Sequence, residues 1–331
     1  MNILDNFPLS KVTTLSIGGP AKKFVSISSE EQLKEAIKYA QENNLEYLVI
    51  GGGSNLLVSD QGVDKLIIKN EIKGIQQNGN TLIVKSGTIL QDLVNYSIAQ
   101  GLSGLQKLTG IPGSVGGAIY GNAGAYGQTI SDHIILVTIL DPSSVIPASE
   151  PESVQIHGSR LESHSDFLQH GMTKDECQFN YRDSIFKKNH LPILEITFTL
   201  ETGDTMTMQK QADETLEKRL IKYPVGIKCP GSFFKNIVAD TLSQDLLDKV
   251  ADKIVYGKLP AGALLEEVGA KGDSLGDIEI ASYHANLFIN KGGGTAEDFY
   301  NLAKKYVHLV KEKFGITLEP EVQLINLNPM K

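Results

Sequence analysis

Two glycine-dense stretches carry the strongest chemical signal in this sequence. The first, Ile50-Gly51-Gly52-Gly53-Ser54-Asn55-Leu56-Leu57, follows a short apolar run. Three glycines there let the backbone come close to a pyrophosphate, whose oxygens can accept from successive amides and from the side chains of Ser54 and Asn55. The same glycines also suit a tight turn that needs positive φ. The dinucleotide fingerprint of parallel α/β folds is not met, because Leu56 stands where the third glycine belongs and no helical pattern follows. The second stretch, Gly110 to Gly127, holds seven glycines in eighteen positions, a composition that cannot sustain an isolated helix and leaves bare backbone against which a flat ligand can lie. A large cofactor with two phosphates and an isoalloxazine ring would use both loops.

The elements that would position these loops can be read from periodicity. Lys22–Ile27 reads as a strand, Ser29 to about Asn43 as a helix with Ser29 and Gln32 at capping-box spacing, and Tyr47–Ile50 as a buried strand entering the first glycine loop. From Leu66 to Leu140 the pattern shifts to short β-branched runs, Lys65–Lys69, Thr81–Val84 and His133–Leu140, with one helix near Leu90–Gln100. Pro142 to Lys174 is polar and reads as an irregular insertion. Glu195–Leu200 closes the sheet region. Thr202–Ile221 reads as a linker running into a helix that ends before Pro224. Further helical stretches fall at Asp240–Ala251, Gly262–Val268 and Thr295–Phe314, the last marked by Thr295 with Asp298 and by Gly315 just past its end.

Composition narrows the function classes. A formal charge of −8 offers no broad basic surface, so no nucleic-acid partner is expected. The two cysteines, Cys177 and Cys229, are too few for a disulfide framework or a four-ligand zinc site. His157, His164 and His170 have no metal-ligand companions, and His284 is read as a packing or turn residue, so no metal is assigned. The apolar runs are far shorter than the roughly 20 residues that span a bilayer, and the start lacks the pattern of a signal peptide. A cytoplasmic chain without a membrane partner is the expectation.

Six blocks, in order, carry a family resemblance: Thr13-Thr14 through Gly19, Ile50–Leu57, Gly110–Gly127, Asn180-Tyr181-Arg182-Asp183-Ser184-Ile185-Phe186-Lys187, Gly231-Ser232-Phe233-Phe234-Lys235-Asn236, and Leu318-Glu319-Pro320-Glu321-Val322. Together they resemble the UDP-N-acetylenolpyruvoylglucosamine reductase family. The resemblance implies an α+β fold with a two-lobed FAD-binding region of p-cresol methylhydroxylase type and a C-terminal α+β substrate domain. The expected boundaries are 1–208 for the flavin region, with lobes of about 1–70 and 71–208, then 209–318 for the substrate domain and 319–331 for a segment returning to the flavin.

The resemblance further implies non-covalent FAD as cofactor, NADPH as co-substrate, and a UDP-sugar enolpyruvyl ether as acceptor, in peptidoglycan precursor synthesis; a monomer is the separate expectation. FAD contacts fall on Ile50, Gly51, Gly52, Gly53, Ser54, Asn55 and Leu56 and on Ile111, Pro112, Gly113, Ser114, Gly116, Gly117 and Ile119. Hydride addition to an enolpyruvyl group builds charge at the carbon bearing the carboxylate, so the enzyme needs stabilising groups and a proton donor there. By position in the motifs, Arg182 and Glu321 would flank that carbon and Ser232 would protonate it. Tyr126, Lys222 and Asn236 match substrate-contacting positions.

Two departures stand out. Gln323 occupies a position where many members have arginine, and Glu201–Ile221 contains no tyrosine, which suits the subtype lacking the tyrosine loop. Two other readings fit parts of the pattern: another FAD oxidoreductase of the same fold, which would share the Ile50–Leu57 loop without needing Arg182, Ser232 and Glu321 together, or a non-catalytic UDP-sugar binding module, which would be colourless.

Overall fold

The computed structural model describes residues 1–142 and 167–330. The described chain forms two compact units: Met1–Leu4, Lys23–Gly52 and Lys65–Arg219 make the first, and Asp5–Lys22, Gly53–Asp64 and Leu220–Lys331 the second. The division thus weaves through the N-terminal part of the chain, where the sequence-based scheme has consecutive segments.

In the first unit, a five-stranded antiparallel sheet runs in the order Leu168–Thr173, Ile134–Asp141, Ile193–Thr199, Thr81–Lys85, Ile75–Asn78. Its inward residues, Leu82, Val84, Val137, Ile139, Ile196 and Phe198, are buried with Leu93, Val94 and Ile98 from the helix Leu90–Ala99. Tyr47–Ile50 pairs in parallel with Val63–Asn70, so the first glycine loop leaves the end of a sheet strand. Over that sheet lies the helix Glu30–Glu42, which buries Leu33, Ala36, Ile37 and Ala40 at helical spacing. Its N-terminus is closed as expected, Ser29 Oγ accepting from Gln32 N at 3.3 Å, although Gln32 reaches back to Ser28 N and not to Ser29.

Two sequence expectations change. The polar insertion is not irregular throughout: Leu168–Thr173 is an edge strand, registered Leu136↔Thr173 through Asp141↔Leu168. The backbone ladder supplies what the weak side-chain alternation does not. The rest of that insertion, residues 143–166 with His157 and His164, lies outside the described residues. Within Gly110–Gly127, Val115–Tyr120 forms a short helix. Ser114 Oγ caps it by accepting from Gly117 N at 3.3 Å, and its Val115, Ala118 and Ile119 are buried in the core. Burial and a cap offset the glycine penalty, as they cannot in an isolated peptide.

The second unit is built on the helix Ala296–Phe314, which runs from a Thr295–Asp298 cap to Gly315 in the left-handed region. Its apolar face meets a core in which Phe233, Phe234, Phe288 and Phe299 interlock at ring-centroid distances of 4.7–6.1 Å. Gln323–Ile325 pairs in parallel with Leu56–Val58, the strand that follows the first glycine loop. No helix among the described residues is long and apolar enough to cross a membrane.

Candidate active site

In the first unit, the two glycine stretches pack closely, Gly51 on the Ser114 side chain and Gly52 on the Gly113 backbone. A Cβ on Gly51 would sit 2.1 Å from Ser114 Oγ, and one on Gly52 would sit 2.8 Å from Gly113 Cα. The packing of the protein itself therefore requires these glycines. Among the described residues, the amides of Gly51 and Gly52 donate to no protein acceptor. Unspent amides in a loop this closely packed fit a phosphate-bearing ligand such as FAD.

Arg182 belongs to the same unit and has φ +53. Its Nη2 donates to Gly124 O at 2.7 Å and its Nη1 to Asn122 O at 3.5 Å, with the guanidinium 5.4 Å from the Tyr181 ring centroid. Asn122 Nδ2 donates to Asn180 O at 2.8 Å, and Ser184 Oγ to Tyr120 O at 2.7 Å. Two sequence blocks some sixty residues apart are thus tied into one patch. Lys187 Nζ donates to Arg182 O at 2.6 Å and fixes the backbone beneath the guanidinium. Tyr126 lies in the same unit and is 42% exposed.

The second unit gathers the other blocks. Ser232 follows Gly231, whose φ of +88 suits glycine, and bridges Leu287. Phe233 N donates to Asn286 O at 3.0 Å, while the buried Asn286 side chain accepts from Phe234 N and donates to Phe234 O, both at 2.8 Å. The serine therefore sits on a backbone anchored by two fully buried phenylalanines. Glu321 N donates to Phe233 O at 2.7 Å, which brings the Glu321 backbone against the residue that follows Ser232. Asn55 Nδ2 donates to Glu321 O at 3.1 Å, Gln323 N to Asn55 O at 2.9 Å, and Thr14 Oγ1 to Cys229 O at 2.8 Å. The Thr13-Thr14 block, the Gly53–Leu57 end of the first glycine loop, Gly231–Phe234 and Glu321–Gln323 are one cluster within this unit.

Lys222 is exposed, and Asn236 Oδ1 accepts from Ala261 N at 3.2 Å, so Asn236 also holds the start of the helix Ala261–Glu267. Gln323 Nε2 lies 3.5 Å from Glu321 O, a local bond where many members have an arginine. Sequence reasoning missed Tyr223, whose hydroxyl is 2.9 Å from Ser232 Oγ. Its only signal is its place beside Lys222.

His284 sits in the turn that holds Ser232. Burial, with Lys222 and Lys271 adding repulsion, pushes its imidazole down to about 4, and its Nδ1 accepts from Asn286 N at 3.3 Å. Its folded pKa lies below the ordinary 6.5, so the unfolded chain binds more protons between the two values. This contribution to stability is whole above about pH 6.5 and is lost as pH falls toward 4, by about 2 kcal/mol after allowance for partial exposure. Urea unfolding at pH 7 and pH 4.5 should show His284→Asn losing less stability on acidification than the parent chain.

The first unit carries the close-packed glycines Gly51 and Gly52 with the Arg182 patch, and the second carries Ser232 and Glu321; similarity to known proteins defines the class, a flavoprotein oxidoreductase. Residues 21–146 match the FAD binding domain family, and residues 223–325 match the C-terminal domain of UDP-N-acetylenolpyruvoylglucosamine reductase. The UDP-N-acetylenolpyruvoylglucosamine reductase of Solibacter usitatus is 36% identical over 320 residues, 96% of this chain and 95% of that one. The one of Clostridium novyi is 32% identical over 324 residues, 98% of this chain and 92% of that one. The crystal structure of UDP-N-acetylenolpyruvylglucosamine reductase from Thermus caldophilus superposes with a TM-score of 0.72 at 27% identity, covering 98% of both chains. The chain belongs to the UDP-N-acetylenolpyruvoylglucosamine reductase family, FAD-dependent oxidoreductases of α+β fold.

Proposed function

We propose that this chain catalyses NADPH-dependent reduction of the enolpyruvyl double bond of UDP-N-acetyl-3-O-(1-carboxyvinyl)glucosamine to UDP-N-acetylmuramate, a cytoplasmic step toward peptidoglycan. The observation that carries the reading is the bond from Glu321 N to Phe233 O at 2.7 Å, which brings the Glu321 backbone to the residue after Ser232, with Asn55 of the glycine loop bonded to Glu321 O. FAD, when bound, supplies the hydride carrier between the nicotinamide and the double bond. The loops at Ile50–Leu56 and Ile111–Ile119 hold it.

The side chains answer the charge problem of the acceptor. Arg182, its guanidinium fixed by carbonyls of the second glycine stretch, offsets negative charge developing on the enolpyruvyl carboxylate. Glu321 orients the acceptor, and Ser232 delivers the proton to the carbon next to the carboxylate, a positioned transfer of the kind that contributes about 10²–10⁴-fold. Tyr126, Lys222 and Asn236 contact the UDP-sugar. Residues 1–208 act as the flavin region, 209–318 as the substrate domain, and 319–331 carry Glu321 to the site.

The test is spectroscopic. Purified protein should be yellow, lose its visible absorbance anaerobically with NADPH, and regain it when the enolpyruvyl UDP-sugar is added. A colourless protein that cannot be loaded with FAD, or a bleached one that the substrate leaves unchanged, overturns the reading.

A further inference from the structure

We propose that Tyr223 is the positioning residue of Ser232, its phenol fixing the direction of the serine hydroxyl and returning the proton that the serine gives away. The inference rests on the reading of Ser232 as proton donor. Tyr223 OH and Ser232 Oγ are 2.9 Å apart, within one compact unit. Both groups are held: Ser232 by its bridge to Leu287 and the buried phenylalanines that follow it, Tyr223 by packing on the small apolar cluster of Cys229, Ala281 and Leu287. The Tyr223 ring also lies 6.4 Å from the His284 ring at a 55° tilt, against the turn that anchors the serine backbone.

The chemistry follows from the donor inventory of two hydroxyls. Each has one proton and can accept. If Tyr223 donates to Ser232 Oγ, the serine's own proton is left pointing elsewhere, ready for an acceptor carbon. As the new C–H bond forms, the Ser232 O–H bond breaks and negative charge grows on Oγ. A serine alkoxide is costly, whereas a phenol ionises near pH 10, so the proton of Tyr223 moves to Oγ and the charge settles on the phenolate. The phenolate then takes a proton from water. No further oxidant or reductant is needed, and the serine is restored within the same turnover.

Tyr223→Phe keeps the ring and removes only the hydroxyl, so the fold should survive. In anaerobic rapid-mixing experiments on the FAD-loaded enzyme, the variant should bleach with NADPH at the parental rate. Recolouring by the enolpyruvyl substrate should be about 10- to 100-fold slower, the worth of one hydrogen bond to a developing charge. The solvent deuterium isotope effect on that step should rise, with the KM for the UDP-sugar unchanged. Parental recolouring by Tyr223→Phe, with Ser232→Ala stalled, overturns this inference and leaves the serine reading intact. Parental recolouring by Ser232→Ala overturns the serine reading itself. Slowing of both half-reactions together, or slowing with an unchanged isotope effect, means that Tyr223 only supports the local fold and also overturns the inference.

Discussion

Replacing Ser232 with alanine is expected to leave NADPH-driven bleaching of the flavin at its parental rate and to slow recolouring by the enolpyruvyl substrate about 10²–10⁴-fold. Such a factor, about 3–5 kcal/mol, is what positioned proton transfer supplies. The split between the half-reactions is the diagnostic part. A serine that served only as a turn residue after Gly231 would, when replaced, disturb Phe233 and Phe234 and slow everything with the loss of fold. The backbone bonds of this segment do not use the Ser232 hydroxyl, whose hydrogen-bond partner is the Tyr223 phenol. Truncation should therefore cost little stability, and unfolding midpoints within about 1 kcal/mol of the parent are expected. Recolouring at the parental rate would remove Ser232 from the reaction.

How much of this site was legible in the sequence depends on the range of the forces that build it. The helices Glu30–Glu42 and Ala296–Phe314 begin and end where Ser29, Thr295 and Gly315 say they should, because a cap is a contact three or four residues long. That no helix follows the first glycine loop was legible for the same reason, since the missing third glycine and the absent helical period are local facts; the strand Leu56–Val58 found there was not read. Val115–Tyr120 was not, because its stability lies in the burial of Val115, Ala118 and Ile119 against residues far along the chain. The edge strand Leu168–Thr173 likewise depends on Ile134–Asp141 for its ladder, and its own burial pattern is largely exposed.

The site repeats this lesson. Arg182, Ser232 and Glu321 could be named from six motif blocks, but the bonds that order them could not. Nothing local in Thr14 shows that its hydroxyl will meet Cys229 O, nor in Asn55 that its side chain will hold Glu321 O. Tyr223 escaped notice because it reaches Ser232 only after the chain turns back through Pro224–Pro230, a path fixed by the Cys229, Ala281 and Leu287 cluster. The assignment of Asp5–Lys22 and Gly53–Asp64 to the second unit is a matter of long-range pairing too, chiefly of Leu56–Val58 with Gln323–Ile325.

The second large effect is expected at Gly53, where Gly53→Ala should destabilise the protein by about 3 kcal/mol or more. Two costs coincide there. The residue has φ +63, where a Cβ is unfavourable by roughly 1–2 kcal/mol. A Cβ would also stand 1.9 Å from Val12 O, 2.9 Å from Val12 C and 3.1 Å from Thr13 Cα, all backbone atoms. They cannot retreat freely: Val12 N donates to Leu9 O at 3.0 Å, Thr13 Oγ1 to Ile17 O at 2.8 Å, Thr14 N to Gly53 O at 3.1 Å and Thr14 Oγ1 to Cys229 O at 2.8 Å. Relief must come from the glycine loop, which carries Asn55 and with it the bonds to Glu321 and Gln323. The control is Gly79, in the hairpin turn between Ile75–Asn78 and Thr81–Lys85, with φ +58 and nothing within 4 Å of the place a methyl group would take. Gly79→Ala bears the conformational cost alone, about 1 kcal/mol. Denaturant unfolding of the two variants side by side separates strain from collision. Equal stability losses would mean that the Val12–Thr13 backbone yields to the methyl group, and that the first glycine loop tolerates a side chain at its third glycine.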